Sequence, residues 1–441
     1  MSNSITIEKK IQNFNKVINV SGDKSISIRW VLLSSLANGV STAKNLLLSE
    51  DVFAAINAIK KLGIKTKFNK NRFKIYGKGI DGYQYKKNLT LNAQNSGTFG
   101  RLILGLLINT PYPIRLIGDK SLSRRDFKRV ADPLTKFGEK FYLKNNKNLP
   151  LKIFGSKKLR PISFTEKKGS AQVKSSLIFA GMRTGNNTII KAKKSRNHTE
   201  LMCKYLNLPV KVNIKKNYDE ILVNKVKKIH KINYNIPSDI SSGAFFMVLT
   251  ALSENSKLVI KNVNINPSRI GIITILKKMG VKIIFQNKKS YKGEKIADIK
   301  IKSSKSIKPI NCPVKLNSSA IDEFLVIFLL AAKADGVSSF KNLGELNKKE
   351  SPRLLWGGKI LDKMGIKNIT TKNSIKIFGN PKLKISKKIV IKNFLKDHRV
   401  FMTSVIAGLV FGGHWQIFSK NSIKTSFPNF LKIISDLKTN D

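Results

Sequence analysis

A repeated pattern of hydrophobic and polar positions runs along this chain. An apolar stretch with helical spacing ends in a Gly or Asn step, and residues that alternate in polarity follow it. Gly and Asn tolerate the left-handed backbone in which many helices end, and a period of two is typical of a strand. The pattern therefore predicts a helix followed by a strand at five turns, which are centred on Gly63, Gly138, Asn207, Gly280 and Gly365.

These turns recur at intervals of roughly 70 to 85 residues, and a sixth unit would extend to a C-terminal helix over 430–437. This period is longer than that of solenoid repeats, which favours closed domains over an open array. A chain of 441 residues also exceeds what one hydrophobic core ordinarily holds. The sequence therefore predicts an α/β protein with two domains, each built from three similar α/β units.

The second helix of most units is predicted to begin with a polar and often basic turn. In the first of these turns, Lys24 and Arg29 accompany two serines at a helix start. Because a helix N-terminus already presents unpaired N–H groups and a positive dipole, such a turn suits an anion with several oxygens. The other turns of this kind span 95–101, 118–125, 169–176, 195–200, 237–243, 320–324, 344–353 and 397–400.

Taken alone, each such turn is ordinarily a solvated, well-capped helix start. If all of them face one place, they form a deep cationic cleft between the two domains, which suits small substrates with several negative charges. The patterns place helices at 102–108, 126–137 and Phe324–Ala332. They also place Lys349, Glu350 and Arg353 on one helical face, since residues at i and i+4 are neighbours.

The charge of the chain is extreme, with 83 Lys and Arg against 26 Asp and Glu and a formal net charge of +57. Such a charge favours anionic partners, including nucleic acid. The lysines are nevertheless dispersed, and neither an RNA-binding aromatic signature nor zinc-finger spacing is present. We therefore expect no specific nucleic-acid partner, and we interpret the lysines as a solvated surface.

The two cysteines, Cys203 and Cys312, stand in unrelated contexts, so neither a disulfide framework nor a metal site is expected. The N-terminus has no apolar signal segment, and no uninterrupted apolar run approaches about 18 residues. These features predict a cytoplasmic protein without a membrane partner.

In order and spacing, the polar turns resemble the 5-enolpyruvylshikimate-3-phosphate synthase family of enolpyruvyl transferases over nearly the whole chain. The matching motifs are Gly-Asp-Lys-Ser-Ile-Ser-Ile-Arg29, Asn-Ser-Gly-Thr-Phe-Gly-Arg101, Gly-Asp-Lys-Ser-Leu-Ser-Arg-Arg125, Ser-Ala-Gln-Val-Lys-Ser175, Ser-Arg-Asn-His-Thr-Glu200, Ser-Asp-Ile-Ser-Ser242, Ile-Asp-Glu323, Lys-Glu-Ser-Pro-Arg353 and Asp-His-Arg399. The resemblance implies two inside-out α/β domains with the active site in the cleft between them. It also implies a shikimate 3-phosphate domain over 21–235 and a phosphoenolpyruvate domain over 1–20 plus 236–441.

The reaction that the resemblance implies transfers the enolpyruvyl group of phosphoenolpyruvate to the 5-hydroxyl of shikimate 3-phosphate and releases phosphate. It needs no metal or organic cofactor, and the enzyme is expected to be a monomer. The catalytic residues implied are Lys24, Asp322 and Glu350. The implied phosphoenolpyruvate ligands are Lys24, Gly97, Arg125, Arg353 and Arg399. The implied shikimate 3-phosphate ligands are Ser25, Arg29, Ser170, Gln172, Ser195, Arg196, Asp322 and Lys349.

The chain departs from the family pattern at several positions. Asp126 stands where Pro is usual, Pro352 replaces an Asp, and Asn347 replaces a common Arg. Lys424 lies one residue earlier than the lysine that is often found before Ser/Thr-Phe-Pro. Sensitivity to glyphosate stays open, because Gly97 is typical of sensitive enzymes whereas other motifs are typical of the poorly inhibited branch.

Three alternatives remain at this point. A UDP-N-acetylglucosamine enolpyruvyl transferase has the same fold, but it would require Lys-Asn at Lys24-Ser25 and a reactive cysteine in a loop of the first domain. A basic RNA-binding protein would account for the charge of +57. A catalytically inactive descendant of the family would account for Asp126 and Pro352.

Overall fold

The computed structural model describes residues 3–69, 71–185 and 187–439. The chain divides into two compact units. The N-terminal-half unit comprises Gly22–Ile236 and Tyr291–Glu294, and the C-terminal-half unit comprises the chain through Ser21, Pro237–Ser290 and the chain from Lys295 onward. Each unit has its own hydrophobic core.

Strands and short helices alternate along the described residues. The strands are β1 (Ser4–Ile7), β2 (Asn15–Ile18), β3 (Asn38–Lys44), β4 (Lys65–Asn69), β5 (Arg72–Lys78), β6 (Leu89–Asn92), β7 (Ile114–Ile117), β8 (Lys140–Lys144), β9 (Asn148–Phe154), β10 (Ser163–Glu166), β11 (Thr188–Lys193), β12 (Val210–Ile214), β13 (Tyr218–Val223), β14 (Asn233–Asn235), β15 (Lys257–Asn264), β16 (Ile283–Tyr291), β17 (Glu294–Lys302), β18 (Val337–Phe340), β19 (Asn368–Thr370), β20 (Ile375–Phe378), β21 (Lys388–Ile391) and β22 (His414–Phe418). The α-helices are α1 (Lys24–Ser35), α2 (Glu50–Lys61), α3 (Gly97–Leu106), α4 (Lys128–Thr135), α5 (Ala171–Gly181), α6 (His198–Tyr205), α7 (Ile240–Leu252), α8 (Gly271–Lys278), α9 (Asn317–Ala320), α10 (Phe324–Ala332), α11 (Arg353–Met364), α12 (His398–Phe411) and α13 (Phe430–Lys438).

Among its described residues, the N-terminal-half unit contains three sheets, and they share one topology. Their strand orders are β14-β3-β5-β4, β6-β7-β9-β8 and β10-β11-β13-β12. In each sheet the first two strands are parallel and the remaining neighbours are antiparallel. The repeated pattern in the sequence therefore corresponds to a sheet topology that is repeated three times.

In the part of the C-terminal-half unit that the structure describes there are also three sheets, with orders β16-β17-β15-β2, β18-β20-β19 and β1-β22-β21. Parallel pairs occur between β2 and β15 and between β21 and β22. The six sheets of the two units confirm the predicted α/β class with three repeated units in each half.

The helices lie inside the units and the sheets lie outside. All nine residues of α10 are buried, and every residue from Ile240 to Ala251 of α7 is buried. A helix that is apolar all round must be covered on every side. Strands such as β5 instead alternate buried and exposed positions, as expected of a sheet with one solvated face. This arrangement is the predicted inside-out fold.

The five predicted turn residues all have a left-handed backbone. Their φ angles are 85° at Gly63, 118° at Gly138, 51° at Asn207, 92° at Gly280 and 81° at Gly365. The helix ends that the sequence pattern predicted are therefore confirmed.

Two predicted helices have different bounds. The helix predicted at 102–108 is α3, which begins earlier because the hydroxyl of Ser96 caps it by accepting from the Phe99 N–H at 3.4 Å. The helix predicted at 126–137 is shortened to α4, and a 3-10 turn, Leu122–Arg124, precedes it. The helix Phe324–Ala332 is confirmed. Among the residues that the structure describes, no helix has both the length and the hydropathy needed to span a bilayer.

Candidate active site

The start of α1 carries the first predicted site residues of the N-terminal-half unit. The buried carboxylate of Asp23 caps the helix by accepting from the Ile26 N–H at 2.9 Å. Lys24 follows, and its ammonium lies 2.8 Å from Asp51 of α2, with 19% of the side chain exposed. The ion pair fixes the direction of the Lys24 side chain, while part of the side chain still reaches solvent.

Arg29 is buried within α1 and binds two other helices. Its guanidinium donates to the hydroxyls of Thr199 at 2.7 Å and Ser175 at 2.9 Å, and to the Ser25 carbonyl at 3.0 Å. Burial lowers the pKa of Arg29 to about 10, against the opposing charge of Glu200. Arg29 therefore ties α1 to α5 and α6, which begin within the polar turns at 169–176 and 195–200. Its role as a direct substrate ligand stays a prediction.

A second buried contact joins α5 to α6. Lys174 and Glu200 form an ion pair of 2.6 Å, with side-chain exposures of 0% and 4%. A buried ion pair is costly to break from one side only. Lys174 belongs to the same motif as Gln172, and Glu200 belongs to the same motif as Ser195. The ion pair therefore connects these two turns.

The turn before α5 places Ser170 and Gln172. The Ser170 hydroxyl caps α5 by accepting from the Val173 N–H at 3.4 Å. The Gln172 side chain accepts from Arg101 at 2.8 Å and donates to Thr98 at 3.2 Å. Both ends of the Gln172 amide are thus fixed, so its orientation is set before any ligand binds.

The turn before α6 contains Ser195 and Arg196. The Ser195 hydroxyl oxygen is buried, and it has no hydrogen-bond partner among the described residues. A buried hydroxyl without a partner is unfavourable, so it is suited to a ligand that supplies the missing bond. Arg196 is half-buried, and its charge contributes to the lowered pKa of Arg29.

Gly97 lies against two guanidinium groups at the start of α3. A Cβ atom at this position would lie 2.9 Å from Nη1 of Arg101 and 3.2 Å from Nη1 of Arg125. Arg125 also donates to the Asn95 side chain at 2.6 Å and to the Ser121 hydroxyl at 3.2 Å. The structure therefore places the predicted pair of Gly97 and Arg125 side by side.

Arg101 was not among the predicted ligands, although it belongs to a matching motif. Besides Gln172, its guanidinium contacts the Gly97 carbonyl at 3.4 Å and the Asp126 carbonyl at 3.1 Å. Its guanidinium carbon also lies 4.8 Å from the centre of the Phe127 ring. Arg101 therefore joins the turns that carry Gly97, Gln172 and Asp126.

The structure gives Asp126 a local role. Its carboxylate accepts from the Arg129 N–H at 3.1 Å, at the start of α4. A carboxylate near a helix N-terminus is favourable. This departure from the family pattern therefore supports the helix start and leaves the adjacent Arg125 in contact with Asn95.

Arg353 is the centre of the second group of residues, which lies in the C-terminal-half unit. Only 2% of its side chain is exposed, and Nε lies 2.9 Å from Asp397. The guanidinium also contacts Glu350, and it lies 3.4 Å from the Asp322 carboxylate. Burial lowers the pKa of Arg353, but Asp397 and Glu350 outweigh it and hold the pKa above its ordinary value.

Asp397 is a site residue to which the sequence patterns assigned no role. Its carboxylate is fully buried, and it accepts from Arg353, from the backbone and hydroxyl of Ser351, and from the Arg399 N–H at 2.9 Å. Burial raises the pKa of Asp397, but the Arg353 charge more than offsets this, so the pKa lies below its ordinary value. Asp397 therefore stays ionised, and it binds the guanidinium of Arg353 and the backbone N–H of Arg399.

The other predicted residues of this group are also adjacent. The ammonium of Lys349 lies 3.4 Å from the Asp322 carboxylate, and the Arg399 guanidinium donates to the Asp322 carbonyl at 2.5 Å. Asp322, Lys349, Glu350, Arg353 and Arg399 thus form one connected cluster within this unit.

The prediction that Lys349, Glu350 and Arg353 share a helical face is wrong. Helix α11 begins at Arg353, and Lys349 has an extended backbone after the 3-10 helix Gly344–Lys348. Pro352 explains the difference, since a proline disfavours helical backbone in the residue before it. Glu350 reaches Arg353 all the same, from the loop.

Lys424 lies on the exposed side of a 3-10 helix, Lys420–Thr425. The neighbouring Thr425 hydroxyl is 3.2 Å from Nδ1 of His398.

Both Cys203 and Cys312 are free and buried. Within the described ranges, no group of three or more His, Cys, Asp or Glu side chains is placed to hold a metal ion.

Comparisons with known proteins agree with this architecture. A sequence model of the family described as EPSP synthase (3-phosphoshikimate 1-carboxyvinyltransferase) matches residues 8–434. The 3-phosphoshikimate 1-carboxyvinyltransferase of Ruthia magnifica subsp. Calyptogena magnifica is 38% identical, over 98% of this chain and 98% of that protein. The enzyme of the same name from Petrotoga mobilis is 34% identical, over 97% of this chain and 98% of that protein.

Solved structures give the same result. An EPSP synthase from Acinetobacter baumannii has a TM-score of 0.86 and 33% identity, covering 98% of this chain and 97% of that chain. The enolpyruvyl transferase NikO from Streptomyces tendae has a TM-score of 0.77 at 12% identity, over 99% and 98% of the two chains, which shows a shared fold.

The inside-out fold of six units, with a cationic group of residues in each half, defines the class as enolpyruvyl transferases. Within this class the sequence match extends over nearly the whole chain at more than 30% identity. The chain belongs to the EPSP synthase family, whose enzymes transfer an enolpyruvyl group in aromatic amino acid biosynthesis. The resemblance found in the polar turns is thereby confirmed.

Proposed function

We propose that the chain transfers the enolpyruvyl group of phosphoenolpyruvate to the 5-hydroxyl of shikimate 3-phosphate, and that both groups of site residues serve this one reaction. Family membership supports the activity. The observation that supports the residue roles is that, in each half, arginine side chains are oriented by hydrogen bonds to neighbouring protein groups. Arg125 lies next to Gly97, the Arg353 guanidinium binds Asp397, and the Arg399 guanidinium donates to the Asp322 carbonyl.

Shikimate 3-phosphate is the substrate proposed for the hydroxyl-rich turns. Hydroxyl, amide and backbone N–H groups at helix starts suit phosphate oxygens and ring hydroxyls. The unpartnered hydroxyl of Ser195 and the fixed amide of Gln172 support this assignment. The proposed ligands are Ser25, Arg29, Ser170, Gln172, Ser195, Arg196, Asp322 and Lys349.

Phosphoenolpyruvate is the substrate proposed for the arginines and Lys24. Its carboxylate and phosphate are both suited to the fork of a guanidinium group. Because Gly97 has no Cβ, an anionic group can approach the backbone beside Arg125. Arg353 is already oriented by Asp397, so little reorganisation is needed when charge develops on the substrate. Arg399 completes the proposed set.

The chemistry proceeds by addition and then elimination. Asp322 acts as general base and removes the proton from the 5-hydroxyl, whose oxygen forms a bond to carbon 2 of phosphoenolpyruvate. Lys24 and Glu350 deliver a proton to the methylene carbon, which becomes a methyl group in a tetrahedral intermediate. Loss of a methyl proton and of phosphate then restores the alkene. No electrons are gained or lost overall, so the reaction needs no redox cofactor.

The remaining assignments concern partners and organisation. We propose that the N-terminal-half unit provides most of the shikimate 3-phosphate ligands, and that both units provide phosphoenolpyruvate ligands. We further propose a cytoplasmic monomer without a specific nucleic-acid partner. Filter binding of RNA across a salt series tests the last point. Non-specific binding of RNA to a protein with a charge of +57 falls steeply as the salt concentration rises.

Phosphate release tests the activity. With phosphoenolpyruvate present, release should depend on added shikimate 3-phosphate, and shikimate without its phosphate should replace it poorly. Lys24→Met and Glu350→Gln should each lower kcat by about 100-fold or more, the size typical of lost general acid–base or charge stabilisation. Lys348→Met is the matched control, because that lysine is 69% exposed and pairs with Glu345. Phosphate release that does not depend on shikimate 3-phosphate would overturn the proposal.

A further inference from the structure

The start of α11 lacks a capping side chain of its own. Pro352 occupies the position before the helix, with φ of −69° and ψ of 78°, and it offers no side-chain acceptor. The first turn of α11 also contains no acidic residue. The first N–H groups of any helix have no partner within the helix, so those of Leu354 and Leu355 must find an acceptor elsewhere.

Asn347 supplies that acceptor from outside the helix. Its side-chain oxygen accepts from the N–H of Leu354 at 3.1 Å and from that of Leu355 at 3.4 Å. Its side-chain nitrogen donates to the Lys372 carbonyl at 3.2 Å. Because the amide is held at both ends, it acts as a fixed cap rather than a mobile one.

The segment closed by this cap carries three proposed site residues. Lys349 and Glu350 lie between Asn347 and the helix, and Arg353 is the first helical residue. Ser351, in the same segment, donates its backbone N–H and its hydroxyl to Asp397, which also receives Arg353. The position of the helix start therefore decides whether the Arg353 fork meets the Asp397 carboxylate.

We propose that Asn347 is a positioning residue for the phosphoenolpyruvate group of the site, and that it caps α11 in place of the acceptor that Pro352 lacks. This inference rests on the proposed function of Lys349, Glu350 and Arg353. It makes residues 347 and 352 interdependent, since a serine at an N-cap accepts from the second or third N–H of the helix. In α11 those are the same two N–H groups that Asn347 now satisfies.

The first part of the test removes and then preserves the acceptor at 347. Asn347→Ala should lower kcat/KM for phosphoenolpyruvate by about five- to tenfold, the size of an ordinary cap effect. Asn347→Asp keeps the acceptor oxygen but loses the donor to the Lys372 carbonyl, so kcat/KM should fall clearly less than in Asn347→Ala in the same assay. Thermal unfolding monitored by circular dichroism accompanies each measurement.

The second part places the acceptor at 352 instead. In the Asn347→Ala background, Pro352→Ser should restore most of kcat/KM for phosphoenolpyruvate, whereas Pro352→Ala should not, because it removes the proline without adding an acceptor. If Asn347→Ala does not fold, the double variant with Pro352→Ser should fold and the double variant with Pro352→Ala should not. The comparison of serine with alanine at position 352 is then made on folding.

Two outcomes would overturn the inference. One is that Pro352→Ser and Pro352→Ala restore kcat/KM equally in the Asn347→Ala background. The other is that Asn347→Ala lowers the melting temperature and leaves kcat/KM unchanged. Failure of the proposed function gives a different result, since the original chain itself would then show no release dependent on shikimate 3-phosphate.

Discussion

Asp397→Asn is the substitution that tests the second group of residues most severely. The new side chain keeps the shape but loses the charge, and its NH2 group replaces one of two oxygens that both accept from Arg353, one of them also from Ser351 and the other from the Arg399 N–H. A donor would then face other donors inside a fully buried position. The Arg353 charge, which is 2% exposed, would lose its one fully buried counter-charge among Asp397, Glu350 and Asp322.

The expected size of the effect follows from these contacts. Removing one partner of a buried ion pair costs about 3–5 kcal/mol. We expect the lower end, about 3 kcal/mol, because Glu350 and Asp322 still face Arg353. Since Arg353 would no longer be held in place, kcat/KM for phosphoenolpyruvate should fall by about 100-fold, as for loss of a preorganised donor.

The pH dependence has a definite sign. The pKa of Asp397 in the folded chain lies below its ordinary value, because the Arg353 charge outweighs burial. Its contribution to stability is therefore present above the unfolded pKa and disappears as the pH falls through the folded pKa. The difference in unfolding free energy between Asp397→Asn and the original chain should be largest at neutral pH and should shrink in acid.

Urea unfolding and phosphate release together form the assay. Asp436→Asn is the matched control, because that side chain is exposed on α13 and its substitution tests the change of residue type alone. If Asp397→Asn unfolds within about 0.5 kcal/mol of the original chain, which is the range of neutral surface changes, and turns over normally, the assigned role of Asp397 is wrong.

Two further predictions concern the N-terminal-half unit. Burial raises the pKa of the Glu139 carboxyl group to about 8. The folded chain therefore holds this proton more tightly than the unfolded chain does, so the free energy of unfolding should fall as the pH rises from about 5 to 8, by up to ~1.4 kcal/mol per pH unit. Glu139→Gln should therefore unfold at higher urea than the original chain at pH 8 and at nearly equal urea at pH 4; equal midpoints at pH 8 would refute this. Gly97→Ala should raise KM for phosphoenolpyruvate about tenfold and KM for shikimate 3-phosphate less, because its Cβ displaces the end of Arg125, a proposed phosphoenolpyruvate ligand, whereas Arg101 reaches shikimate 3-phosphate only through Gln172. Equal changes in both KM values would contradict the assignment of Gly97.

The sequence predicted the features that depend on neighbouring residues. The left-handed turns at Gly63 and Asn207 follow from local backbone preference, and the helix Phe324–Ala332 follows from its apolar run. The ordered polar turns were also sufficient to indicate the family. In each of these cases the signal and the structure lie within the same few residues.

Features that depend on distant pairs were not predictable in this way. Asp397 lies 44 residues from Arg353, and Arg29 lies 170 residues from Thr199. No local pattern records such a contact, so the role of Asp397 and the burial of Arg29 required the structure. The start of α11 was misplaced for a local reason, because helical spacing was given more weight than Pro352.

The central claim is that the residues of the two halves act on one pair of substrates. A crystal structure of the Glu350→Gln variant with shikimate 3-phosphate and phosphoenolpyruvate tests it most directly, since slow turnover should preserve both substrates. We predict that one phosphoenolpyruvate molecule contacts Arg125 of the N-terminal-half unit together with Arg353 and Arg399 of the C-terminal-half unit. Phosphoenolpyruvate bound by the residues of one half alone, with the other arginines not in contact with it, would contradict the claim.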